Sequence, residues 1–95
     1  MRVVIGDWET FFCTKSGYTL KKMTTEAYIR DRRFEANGAA IKWSGNTLPQ
    51  WYDDRELRYV LKNEDWSDTL FVAWHCQFDG LILSHHYGIK PRMMG

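Results

Sequence analysis

The 95-residue sequence contains no apolar run long enough to cross a bilayer and no basic-then-apolar leader. The expectation is therefore a soluble, cytoplasmic protein with no membrane partner. Net charge is also scarce, since 13 Lys and Arg stand against 12 Asp and Glu and leave a formal +1. No global field draws in a polyanion, so any affinity for nucleic acid must come from local clusters or bound metal. Only two cysteines occur, Cys13 and Cys76, and they lack the paired spacing of a zinc site. They read as free, partly buried thiols in a reducing compartment. Internal repeats and low-complexity segments are absent. A chain this short is one small domain or a piece of one, able to bury about 60 to 70% of its unfolded surface.

What is present begins at the first ten residues, where Val3, Val4 and Ile5 lead into Gly6, Asp7, Trp8, Glu9 and Thr10. Three branched apolar residues in succession predict a central strand covered on both faces. Side chains two apart on a strand share a face, so Asp7 and Glu9 point the same way, about 6 to 7 Å apart along the strand. That spacing lets two carboxylates share a small cluster of hard cations, although an Asp-x-Glu pair alone is more often an ordinary solvated strand end. A second apolar strand, Thr69 to Trp74, runs into His75, Cys76, Gln77, Phe78 and Asp79. Asp79 is predicted to open a helix from about Phe78 to Tyr87, where the simplest role for an acid is an N-cap. Gly88 and Pro91 supply the stop.

Between these lie Thr10 to Tyr18, read as a strand tail and turn in which Phe12 packs into the core and Phe11 is left open. Leu20 to Arg33 carries a short helix capped by Thr24 or Thr25. Its cluster of Lys21, Lys22, Arg30, Arg32 and Arg33 is either a solvated face or a phosphate contact. Two strands follow, within Phe34–Trp43 and Thr47–Tyr52, joined by a turn at Ser44, Gly45 and Asn46, with Trp43 and Trp51 as a cross-strand aromatic pair. Asp53 to Asn63 is an amphipathic helix, with Asp53 and Glu56 as a capping box and Leu57, Val60 and Leu61 on the apolar side. Its acids are dipole partners, and His85 and His86 complement the end of the last helix. The helix crossing from the hairpin to Thr69–Trp74 is long enough for a parallel connection.

The segments GDWET (6–10) and HCQFDGLIL (75–83) together resemble the first and second motifs of the DEDD superfamily of proofreading nucleases. The resemblance is closest to the 3′–5′ exonuclease domain of phage family A DNA polymerases, and GYTLKKMTTEAYIRDRRFE (17–35) and HYGIKPRMMG (86–95) extend it over nearly the whole chain. It implies an α/β, RNase H-like mixed sheet, an antiparallel hairpin plus a parallel crossover strand, with flanking helices. It also implies two divalent ions, Mg²⁺ or Mn²⁺. Asp7 would bridge both, Glu9 would hold the water-activating ion and Asp79 the other. Thr10, Phe11, His75 and Phe78 would lie against the substrate, the 3′ end of single-stranded DNA.

Two departures stand out. His75 occupies a position where the family commonly has Asn, and residues 80–95 contain no Asp or Glu, so the family's third motif, a Tyr or His followed by a fourth Asp, is missing. The expectation is an N-terminal, C-terminally truncated portion of the domain, residues 1–95, inactive until completed by the remainder of the exonuclease or polymerase chain in the cytoplasm of a bacterium or phage-infected host. The alternative is a noncatalytic RNase H-like module that binds nucleic acid or protein.

Overall fold

The long first strand, β1 (Arg2–Thr10), forms the centre of a five-stranded sheet in the computed structural model, which describes residues 1–95. After it come α1 (Thr25–Arg30), β2 (Ala36–Lys42), β3 (Gln50–Asp53), α2 (Asp54–Val60), β4 (Thr69–Val72), α3 (Cys76–Tyr87) and β5 (Met93–Met94). The sheet order is β3-β2-β1-β4-β5. β1 pairs antiparallel with β2 and parallel with β4, β2 pairs antiparallel with β3, and β4 pairs parallel with β5. The architecture is an α/β domain with a mixed sheet. No helix is long and apolar enough to cross a membrane.

Burial along β1 alternates, with Val4, Gly6 and Trp8 buried and Val3, Ile5, Asp7 and Glu9 exposed. The expectation of a strand covered on both faces is thus corrected. The helices cover one face, where Trp8 meets Tyr87 of α3 at 5.7 Å between ring centroids. On the other face Val3, Ile5, Trp51 and Met93 remain open. Gly6 is required at its position because a Cβ there would lie 2.7 Å from the ring of buried Phe71 on β4.

The helix signals act locally as expected. Thr24 caps α1 by accepting from the Ala27 amide at 3.1 Å. Asp53 and Glu56 form the reciprocal capping box of α2, at 2.8 and 3.0 Å, which satisfies amides that a helix start leaves without partners. Gly88 ends α3 in the left-handed conformation at φ 68°, where a glycine carries no Cβ penalty.

Three local expectations change. α3 starts at Cys76 with His75 at its N-cap position, so Asp79 lies inside the first turn and does not cap it. Trp43 and Trp51 are not paired: Trp51 sits opposite Ala40 on the open face, while Trp43 donates to the Tyr52 hydroxyl at 2.8 Å and packs near Trp66. Phe12 is 65% exposed and not part of the core. Its place is taken by Tyr18 and Tyr28, stacked at 4.4 Å and both buried.

Candidate functional site

β1 outruns β4. The parallel pairing ends at Ile5 opposite Val72, while β1 continues to Thr10 beside β2. Backbone groups on the β4 side of β1 are then left without a strand partner, and a buried amide must find another acceptor. Asp79 supplies it: its Oδ1 accepts from the Trp8 amide at 3.0 Å. One hydrogen bond therefore joins the start of α3 to the centre of the Asp7–Trp8–Glu9 segment. A register shift between Glu9 and Thr10 marks the same end of the strand, and such bulges re-aim side chains.

Asp79 is only 2% exposed. Burial, the largest cause, pushes its pKa up to about 6; the Trp8 amide pulls down, Asp7 pushes up, His75 pulls down and Glu9 pushes up. Asp7 and Glu9 are exposed, and neither carboxylate has a hydrogen-bond or ion-pair partner within the chain. The result is two unpaired acids whose fields meet at a third, buried one.

Two adjoining hollows flank this point and share Trp8, Leu20 and Phe78. The first, of about 380 Å³, is lined by Asp7, His75, Asp79 and Thr25 as well. The second, of about 440 Å³, adds Glu9, Thr10, Phe12, Lys21 and Tyr28. Of the residues singled out from sequence, Asp7, Asp79, His75 and Phe78 come together in the first, and Glu9, Thr10 and Phe78 in the second. Phe11 lines neither, being stacked near Tyr18 at 6.1 Å. Phe12, Leu20 and Tyr28 were missed as site residues, whereas Lys21 was weighed as a phosphate contact. Only the nearness of Phe12 to the acids in sequence pointed to it.

The aromatic wall is tied down. The Tyr28 hydroxyl donates to the Phe11 carbonyl and lies 2.9 Å from Thr10 Oγ1, while the Tyr18 hydroxyl donates to the Tyr28 carbonyl at 2.7 Å. In the basic cluster, Arg30 pairs with Glu26 and Arg33 with Asp31. Arg33 holds the Asp31 carboxyl down at about 2. Those two arginines are engaged, whereas Lys21 faces the hollow that contains Glu9.

As a metal site, the donor set fits in chemistry: carboxylate oxygens suit a hard divalent cation, and a cation relieves the repulsion that Asp7 and Glu9 impose on Asp79. The side chains are nonetheless splayed, and no three His, Cys, Asp or Glu groups stand close enough to hold an ion. Asp7 and Glu9 leave from the exposed face of β1, whereas Asp79 approaches from α3 with one oxygen committed to Trp8. Holding an ion therefore requires the two exposed side chains to turn toward Asp79, and no internal bond restrains them. Comparison with family models, curated proteins and solved structures finds no match for this chain.

Proposed function

We propose that the chain is the acid-bearing portion of a metal-dependent 3′–5′ exonuclease domain of the phage polymerase type, with an RNase H-like sheet. The observation that carries this reading is the pair of exposed, unpartnered carboxylates, Asp7 and Glu9, set beside buried Asp79. Such an arrangement is electrostatically unfavourable without a cation. The sheet order, with a central strand antiparallel to a hairpin and parallel to a crossover strand, supports the same reading.

In this reading Mg²⁺ or Mn²⁺ ions, when bound, activate a water and offset charge on the scissile phosphate and the leaving oxygen. Asp7, Glu9 and Asp79 hold them. The Trp8 amide, which donates to Asp79 Oδ1, would keep that carboxylate oriented toward the ions. The 3′-terminal nucleotide of a DNA strand enters the apolar hollow, where Thr10, Phe12, Leu20 and Phe78 exclude water and fix the sugar and base. His75 stands on the first hollow, beside Asp7 and Asp79, within reach of the substrate backbone. The reading requires a fourth carboxylate and a water-orienting Tyr or His, neither of which lies in residues 80–95 after Asp79 in the family's pattern. In this reading they would be supplied by other parts of an exonuclease or polymerase.

The splay of the acids favours one alternative, a noncatalytic nucleic-acid- or protein-binding module that retains them. Release of mononucleotides from a 3′-labelled single strand in Mn²⁺ separates the two. The 95-residue chain is expected to be inactive, and the chain joined to the exonuclease remainder of a phage family A polymerase is expected to be active and silenced by Asp7→Ala. An inactive joined protein that still folds and binds DNA supports the noncatalytic module.

A further inference from the structure

Trp74 is 94% exposed, whereas Trp8 and Trp66 are 3% and 7% exposed. The indole N–H groups of Trp43 and Trp66 donate to Tyr52 and Leu61; Trp74 has no such partner, and no ring of the chain packs against it. The fold gains almost nothing from this side chain, yet its position is specific. Trp74 directly follows buried Ala73 beyond the end of β4 and directly precedes His75, which lines the hollow shared with Asp7 and Asp79. Val72 lies opposite Ile5 in the parallel ladder, which ends there, and Trp74 follows in the turn that leads into α3. Trp74 and Asp7 are both exposed, whereas their neighbours Ala73 and Trp8 are buried.

We infer that Trp74 is a stacking platform for a base of a single-stranded nucleic acid whose last phosphodiester lies at the acid-lined hollow. The choice of a polynucleotide as ligand rests on the function proposed above. An open indole offers a π-face to any base, so such a contact tolerates sequence. It also answers a local difficulty: acids repel phosphates and the chain carries only +1, so affinity near this edge of the sheet needs a contribution that is not electrostatic. Stacking supplies it, with a base upstream of the last phosphodiester on Trp74 while that phosphodiester reaches Asp7 and Asp79.

The test is fluorescence anisotropy of a labelled oligothymidine, and of an abasic strand of equal length, titrated in Mn²⁺ with the parent chain, Trp74→Ala, Trp74→Phe and Asp7→Ala. Removing one base–aromatic stack weakens binding by about 5- to 150-fold. Trp74→Ala is expected to fall in that range with its melting temperature unchanged, while Trp74→Phe stays within a few-fold of the parent. The abasic strand is expected to bind the parent as weakly as oligothymidine binds Trp74→Ala. Equal binding by Trp74→Ala and parent, equal loss in Trp74→Phe, or no binding by the parent overturns the inference. So does a concentration-dependent dimer that Trp74→Ala abolishes and oligonucleotide leaves unchanged. Loss on Trp74→Ala with no effect of Asp7→Ala on Mn²⁺-stimulated binding sustains the stack and removes the metal-dependent reading. The reverse pattern removes the stack alone.

Discussion

Replacing Asp79 with Asn isolates the charge of the buried acid, because the amide oxygen of Asn can still accept from the Trp8 amide that now binds Oδ1 at 3.0 Å. In the fold Asp79 titrates near 6, against 3.8 for an unperturbed Asp. Between these values the folded chain holds a proton that the unfolded chain has lost, so stability falls as pH rises from about 4 to about 6 and stays lowered above that. At about 1.4 kcal/mol per pH unit the ceiling is roughly 3 kcal/mol. Asp79 lines an open hollow, and water there brings the working figure to about 2 kcal/mol. Asp79→Asn in chelator is therefore expected to melt about 10 °C above the parent at pH 8, at roughly 4 to 8 °C per kcal/mol for a domain of this size. The two should melt together below pH 4. Thermal melts by circular dichroism across this range decide the matter. An Asn variant no more stable than the parent at pH 8, or one whose advantage persists unchanged at pH 3.5, refutes the claim that burial, with Asp7 and Glu9 adding to it, makes ionised Asp79 costly to the fold.

Other outcomes follow from neighbouring contacts. Asp7→Asn in chelator should be neutral or slightly stabilising, since Asp7 raises the pKa of Asp79 and has no partner of its own; a clear drop in melting temperature would mean it makes a structural bond. Gly6→Ala should cost about 1 to 3 kcal/mol by overpacking, because its Cβ would meet the Phe71 ring at 2.7 Å; urea unfolding measures this. His86 stacks on Phe34 at 4.0 Å and bonds the Ile29 carbonyl at 2.7 Å, and its burial lowers its pKa. Its stabilising contribution is complete above 6.5 and is lost as pH falls below that, so His86→Gln should lose less stability than the parent between pH 7 and pH 5. An identical acid limb in both proteins would contradict that role.

The helix caps were legible because they are local: Thr24, the Asp53–Glu56 pair and Gly88 each act within a few residues of their own position. The hairpin and a helix long enough for a parallel crossover were legible from the order of apolar runs and turn residues, whereas the placing of the hairpin beside β1 came from the family resemblance. The open face of β1 was not, because Val3, Val4 and Ile5 are all apolar and only the placement of α1, α2 and α3 on one side distinguishes them. Asp79 was legible as a site residue but not as an acceptor for Trp8, which depends on β4 ending before β1 does. Phe12 on the apolar hollow was illegible for a similar reason. A loop's aromatic residue reads as core until the chain's return through Tyr18 and Tyr28 fills that space instead.

Mn²⁺ binding measured by electron paramagnetic resonance at pH 7.5 tests most directly the proposal that Asp7, Glu9 and Asp79 form one cation site despite their separation in the sequence. The parent chain is expected to bind weakly, and to be stabilised by about 2.7 kcal/mol at a hundredfold excess of Mn²⁺ over its dissociation constant. Asp7→Ala and Asp79→Asn, each still folded, should lose both the binding and the stabilisation. Mn²⁺ binding that neither substitution changes, or none in the parent, would contradict it.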